Sequence, residues 1–316
     1  MLVALVALVA GAIAMGVSPV FVRHADVGPF ASAFWRAALA LPVLAVWARL
    51  ERRGDAPPPR WNRATIAAGV LFAGDLFFWH LAIMNTTAAN ATLLATLAPF
   101  WVMLASGALL KEPVTRAMAL GLAVCLSGAA MLVGSSFALA PERLDGDFYG
   151  LVTSLFFGSY FIAMRFARRG VAGMTPGLLV YRSSLVTAAV LLVAALALEE
   201  TLFPSSLKGI AMLVALGVFS HAAGQGLLAY ALGTLSAGFS ALVIFLEAVA
   251  AATMGYLFLG ENVSLAQAAG GAVILSGIYI ARPRSNAGVA VSSPARSNPV
   301  RDGTIKNSPA PEAGDT

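Results

Sequence analysis

Four ionisable side chains fall inside long apolar stretches of this sequence and are the first candidates for chemistry. They are Asp75, His80, His221 and Glu247. An ionised group near the middle of a lipid bilayer costs about 2.5–3.5 kcal/mol on insertion scales, so such residues are rare and usually functional. Carboxyl and imidazole groups in these surroundings can exchange protons or hold a polar solute through hydrogen bonds.

Polar and aromatic residues accompany these groups at helical spacing. Trp79 follows Asp75 by four residues, which places both side chains on one helix face. Gln225 follows His221 by the same interval and has a glycine on each side. We therefore expect Trp79, His80, His221 and Gln225 to line a cavity, with Asp75 as a candidate for proton coupling.

Two other stretches carry the same polar pattern. The first stripe consists of Thr86, Asn90, Leu97 and Trp101, and the second of Ser236, Ser240 and Glu247. Their spacing by four and seven residues puts each set on one helix face. We expect both faces to meet at the cavity, where Asn90, Trp101 and the Tyr160 hydroxyl contact a solute. Glu247 is the sharpest candidate for proton coupling.

Each candidate also has a structural interpretation, which the sequence leaves open. Asp75 or Glu247 could be satisfied by the backbone of a neighbouring helix, and Trp101 could serve packing alone. His221 could join two helices by a hydrogen bond, worth about 0.6 kcal/mol on average. Glu112, at the end of its stretch, is a helix cap or a gate contact.

The elements that position these residues are membrane helices. Hydrophobic residues make up 59% of the 316 residues, charged residues 11%, and the mean hydropathy is +0.84. A soluble domain has about 25% charged residues, so that class is excluded. Ten continuously apolar stretches of roughly 20 residues predict helices and not barrel strands. They lie near 2–22, 30–48, 64–84, 86–110, 117–137, 148–167, 176–198, 209–232, 234–259 and 264–281.

Charge placement predicts the orientation of these helices. Lys and Arg concentrate in the loops on one side of the membrane, while the other side has only Arg23, Arg143 and Lys208. The positive-inside rule then places both termini in the cytoplasm. The same rule accounts for the net charge of +5 without a nucleic-acid partner.

The sequence contains an internal repeat. A shift of 149 residues aligns Leu110–Gly128 with Leu259–Gly277 at 11 identities in 19 pairs, and a shift of 146 aligns Trp35-Arg36 with Tyr181-Arg182. Each unit has five helices, so the second unit enters the membrane upside down. We expect Arg36 and Arg182 to lie off-centre near opposite faces, snorkelling or bonded to carbonyl oxygens.

This pattern resembles the EamA-type ten-helix transporters of the drug/metabolite transporter superfamily. The matching residues are Ala88, Pro99 and Glu112 in the first unit, and Ala237, Glu247-Ala248 and Glu261 in the second. Bacterial exporters of neutral and aromatic amino acids are the most similar group. Ala248 stands where the first unit has Pro99, so we expect a helix break at this position only in the fourth helix.

The expected organisation is all-α and has three parts: repeat 1 over 1–137, inverted repeat 2 over 147–282, and a disordered cytoplasmic tail over 283–316. The tail is rich in proline and serine and has no apolar periodicity. Such a segment cannot bury enough apolar surface to offset its loss of conformational entropy.

Enzyme motifs are missing from the sequence. It contains no Gly-x-x-x-x-Gly-Lys-Ser/Thr and no His-Glu-x-x-His, and its three histidines are far apart. We expect no catalytic residues, no metal site and no cofactor.

The favoured function is secondary transport, by alternating access, of a small neutral or zwitterionic metabolite such as an amino acid. The resemblance implies export. The alternative is a proton-coupled exporter of cationic or lipophilic drugs, with Asp75 and Glu247 as counter-charges. The expected partners are the solute and the lipid bilayer; the sequence leaves the oligomeric state open, and a monomer is compatible with it.

Overall fold

A computed structural model describes residues 1–52, 58–86, 91, 94–133, 141–170, 173–259 and 264–283. Within these ranges the secondary structure is entirely helical, which confirms the predicted all-α membrane fold. In the part of the chain that the structure describes, seven helices are long and apolar enough to cross a membrane, and three shorter apolar helices occupy the positions of the remaining predicted stretches.

We number the membrane helices in chain order. They are α1 Leu2–His24, α2 Pro29–Leu50, α3 Arg63–Asn85, α4 Ala98–Leu110, α5 Arg116–Val133, α6 Leu144–Gly170, α7 Pro176–Leu198, α8 Leu207–Ala231, α9 as Ala237–Val243 and Leu246–Leu259, and α10 Leu265–Ala281. All lie in one compact unit, Met1–Arg282. Apart from Pro283, the predicted disordered tail lies outside the described residues.

Capping residues explain where several helices begin. Asn62, Thr175, Ser206 and Ser236 each accept a hydrogen bond from a backbone N–H of the first helical turn. Ser264 does the same at α10, in a reciprocal capping box with Gln267. These bonds satisfy N–H groups that a helix leaves unpaired at its start.

Two helices that the sequence alignment pairs are interrupted within one residue of the aligned position. In the fourth stretch a turn at 96–97 precedes Ala98, and in α9 a turn at 244–245 separates the two helical pieces. The expectation that a break depends on Pro99 was wrong, because α9 breaks with Ala248 in the matching position. α8 is also irregular, with a π-helical segment over Leu216–Ala223.

Glycines bring α5 and α10 into close antiparallel contact. A Cβ atom at Gly121 would lie 2.7 Å from the Gly277 carbonyl oxygen, and one at Gly128 would lie 2.7 Å from that of Gly270. Residue numbers rise along one helix as they fall along the other, so the two helices run in opposite directions.

The α2–α7 pair is also antiparallel. Glu199, after α7, accepts a hydrogen bond of 2.8 Å from Phe30 N at the start of α2. Glu51, after α2, accepts one of 2.8 Å from Gly177 N at the start of α7. The sequence alignment pairs α2 with α7 and α5 with α10. If the two units are oppositely oriented, the helices of each pair are antiparallel.

Candidate functional site

A cavity of about 160 Å³ lies at the centre of the helical bundle. Helices from both halves of the chain form its wall, including the interrupted regions of the fourth stretch and α9. Its polar and charged lining residues are Ser18, Arg36, Asp75, Thr96, Thr153, Gln225 and Glu247, and its aromatic lining residues are Phe72, Trp79, Phe157 and Phe245. Broken helices around a central cavity are typical of solute sites in secondary transporters.

Three ionisable side chains share this cavity. Arg36 and Asp75 are each 8% exposed, and Glu247 lies in the first turn of the second piece of α9. The Arg36 Nε is buried without a hydrogen-bond partner, and its Cζ atom lies 5.9 Å from the centre of the Phe72 ring. One guanidinium group and two carboxyl groups thus line the space available to a solute.

Arg36 lines the cavity, and the expected bond to carbonyl oxygens is not found among the described residues. Its repeat counterpart Arg182 behaves as predicted. The Arg182 guanidinium donates to the Pro59 and Arg60 carbonyl oxygens at 2.7 and 3.3 Å and lies 5.1 Å from the centre of the Trp61 ring.

The structure brings together four of the nine predicted site residues in the cavity wall: Asp75, Trp79, Gln225 and Glu247. His80, Trp101, Tyr160 and His221 are not among the lining residues. Asn90 lies outside the described residues.

Tyr160 and His221 support the cavity wall from behind. The Tyr160 hydroxyl donates to Gln225 Oε1 at 2.7 Å, which orients the amide of a lining residue. His221 Nε2 and Ser184 Oγ share a hydrogen bond of 2.7 Å. The ring of Phe72 packs against both aromatic side chains, with centroid distances of 4.8 Å to Tyr160 and 5.5 Å to His221.

His80 and Trp101 have structural partners. His80 Nδ1 donates to the Leu76 carbonyl oxygen at 2.6 Å, within the same helix. Trp101 Nε1 donates to Ser154 Oγ at 2.8 Å and thereby joins α4 to α6. The packing alternative for Trp101 therefore fits its position.

An ionic cluster lies where α4 and α6 end. Glu112 accepts hydrogen bonds from Arg165 Nε at 2.7 Å and from Ala237 N at 2.8 Å, and it forms an ion pair with Arg169 at 2.9 Å. Arg165 also donates to the Leu232 carbonyl oxygen. Three separate chain segments therefore meet at one carboxylate.

The cluster and the cavity lie at different depths. Arg165 follows the lining residue Phe157 by eight residues on α6, which corresponds to about 12 Å along the helix axis. We refer to Glu112, Arg165, Arg169 and the Leu232–Ala237 turn as the end cluster. Sequence reasoning identified Glu112 as a cap or gate contact but missed Arg165 as its partner.

Several other lining residues were also missed. Phe72 lies three residues before Asp75, and Phe157 lies four residues after Thr153. Helical spacing from Asp75 would have pointed to Phe72. Nothing in the sequence distinguishes Thr153 and Phe157 from packing residues, because α6 carries many hydroxyl and aromatic side chains.

Comparison with known proteins agrees with this architecture. The chain matches the EamA-like transporter family twice, over residues 2–134 and 144–282. An uncharacterized transporter of Archaeoglobus fulgidus is 26% identical over 280 residues, which cover 87% of this chain and 94% of that protein. The pseudopaline exporter CntI of Pseudomonas aeruginosa is 28% identical over 242 residues, or 77% of this chain and 82% of that protein.

A solved crystal structure has the same fold. It superposes with a TM-score of 0.78 at 19% identity and covers 88% of this chain and 96% of its own. Two family matches that together span nearly all of the helical bundle establish the relationship. The chain is a membrane transporter and belongs to the EamA-like transporter family.

Proposed function

We propose that this protein exports a small zwitterionic or neutral metabolite, with amino acids as the favoured class, by alternating access. The observation that carries the proposal is the central cavity, where Arg36, Asp75 and Glu247 lie beside aromatic side chains. Opposite charges suit a zwitterion, and Phe72 and Trp79 offer an apolar surface to its side chain. The relative named as a pseudopaline exporter supports export of a metabolite.

Two oppositely oriented units supply the mechanism of alternating access. We infer that repeats 1–137 and 147–282 rock against each other around the cavity, with the interrupted helices at the moving surface. The end cluster closes one side of the cavity. With both termini in the cytoplasm, as the loop charges predict, the closed side is cytoplasmic and the cavity faces outward.

One specific observation favours the alternative function. Two carboxyl groups share the cavity with a single guanidinium group, so it could hold an organic cation in place of a zwitterion. A proton-coupled exporter of cationic or lipophilic drugs would need Glu247 for its charge. Glu247→Gln would then abolish transport of cations, whereas cation transport that survives the substitution contradicts this alternative.

Counterflow in proteoliposomes tests the proposal. Purified protein is reconstituted in liposomes preloaded with one unlabelled neutral amino acid, and uptake of the radiolabelled form is followed with and without a proton gradient. We expect transient accumulation above that of protein-free liposomes. Absence of counterflow for every neutral amino acid, together with accumulation of an organic cation, would favour the drug exporter.

A further inference from the structure

Arg36 and Arg182 occupy equivalent positions in the two repeats but have opposite surroundings. Arg182 is satisfied by two backbone carbonyl oxygens and the face of Trp61. Those contacts fasten the chain before α3 to the start of α7, which is a structural role. Among the described residues, Arg36 has no hydrogen bond to a carbonyl oxygen, and its one ring contact is with Phe72, 5.9 Å from its Cζ atom.

Among the described residues, Arg36 is a buried cation with neither an ionic partner nor a hydrogen bond at its Nε atom. Its side chain is 8% exposed, its Nε has no hydrogen bond, and among the described residues it forms no ion pair. A buried charge left unpaired is strongly destabilising unless another group compensates it. The open side of Arg36 faces the cavity, so a solute in the cavity can supply that group.

Two carboxyl groups are placed to complete the site. Asp75 and Glu247 line the same cavity as Arg36. Neither forms an ion pair with Arg36 among the described residues, so space remains between the positive and negative sides. A molecule with both a carboxylate and an ammonium group fits this separation of charge.

We propose that Arg36 binds the carboxylate of the transported solute while Asp75 and Glu247 hold its ammonium group. This inference rests on the proposed function and narrows its substrate class to amino acids with both groups free. A guanidinium group binds a carboxylate through two parallel hydrogen bonds. A solute with an amide or only an amine in place of the carboxylate cannot form this pair of bonds. The Phe72 ring, 5.9 Å from the Arg36 Cζ atom, takes the apolar side chain.

Analogues of one amino acid test the assignment on the unmodified protein. Counterflow of labelled L-phenylalanine is measured against unlabelled L-phenylalanine, L-phenylalaninamide and phenethylamine, the last two of which lack the carboxylate. We expect L-phenylalanine to inhibit at a concentration at least tenfold lower than either analogue. Equal inhibition by the amide would overturn the carboxylate site.

Variants of the two repeat-related arginines supply a matched comparison. Arg36→Gln should raise the half-saturating concentration of L-phenylalanine at least tenfold and remove the preference over the amide, whereas Arg36→Lys should keep part of that preference. Arg182→Gln should leave the preference unchanged. If Arg36→Gln does not yield a monodisperse protein, the Arg36 assignment is tested by the Arg36→Lys variant and by the analogue series on the unmodified protein.

The outcomes separate this inference from the proposed function. Counterflow of L-phenylalanine that is unaffected by Arg36→Gln would overturn the Arg36 assignment and leave amino-acid transport standing. Failure of every neutral amino acid to undergo counterflow in the unmodified protein would overturn both.

Discussion

Arg165 and Arg169 contact the same Glu112 carboxylate but differ greatly in burial. The Arg165 side chain is 1% exposed and that of Arg169 is 52% exposed. Removing one partner of a buried ion pair costs about 3–5 kcal/mol, whereas an exposed pair contributes about 0–1 kcal/mol. We expect Arg165→Ala to lower the free energy of unfolding in micelles by the larger amount and Arg169→Ala by the smaller. An equal loss of unfolding free energy in the two variants would show that burial does not determine the contribution of each arginine.

Asp26 connects two loops on the opposite side of the bundle from the end cluster. Its carboxylate accepts hydrogen bonds from the Ser205 hydroxyl at 2.7 Å, Ser205 N at 3.0 Å and Ser206 N at 2.7 Å. The hydrogen bond from the Ser205 side chain lowers the pKa of Asp26 the most, and the bonds from Ser206 lower it further. A lowered pKa stabilises the folded state above the pKa of the unfolded chain, and this stabilisation is lost as the pH falls through the folded value.

The pH dependence of melting tests the Asp26 contact. We expect the melting temperature of the unmodified protein to fall as the pH drops below about 4. Asp26→Asn should reduce that fall, and Ser205→Ala should reduce it in the same direction while leaving the carboxylate in place. Melting curves that depend on pH identically in all three proteins would contradict a role for these bonds.

At the scale of elements, the contact between α5 and α10 depends on the absence of side chains. A Cβ at Gly128 would meet the Gly270 carbonyl oxygen at 2.7 Å, whereas a Cβ at Gly107 would have no neighbour within 4 Å. Overpacking costs about 1–3 kcal/mol, while alanine is favoured over glycine in an open helical position. We expect Gly128→Ala to lower the melting temperature and Gly107→Ala to leave it unchanged or raise it. The reverse order would refute close α5–α10 packing.

The membrane helices could be predicted from the sequence because a continuous apolar run has no other way to satisfy its backbone in lipid. The break in α9 could not, since neither proline nor glycine marks positions 244–245. The direction of Arg36 could not be predicted either, because it depends on which side of α2 meets the bundle. The repeat alignment identified Arg36 and Arg182 as a pair. It could not predict that one lines the cavity and the other bonds to backbone carbonyl oxygens.

At the scale of the whole molecule, the cavity and the end cluster lie at different depths. Under the proposed mechanism, the Arg165 contacts to Glu112 and to the Leu232 carbonyl oxygen hold one side of the cavity closed and break when that side opens. We expect Glu112→Gln to weaken this closure. A thiol introduced by Ala248→Cys would then react with a membrane-impermeant maleimide from both sides of the membrane. Labelling that stays one-sided would argue against a gating role for the end cluster.

Labelling of the cavity wall tests the central claim most directly. Ala248 lines the cavity, and the single native cysteine, Cys125, is buried and can be replaced by alanine. In the Cys125→Ala background, we predict that Ala248→Cys reacts with a membrane-impermeant maleimide from the side away from the end cluster. Saturating L-phenylalanine should slow that reaction severalfold, while phenethylamine should not. A labelling rate that no neutral amino acid changes would contradict the cavity as the site of transport.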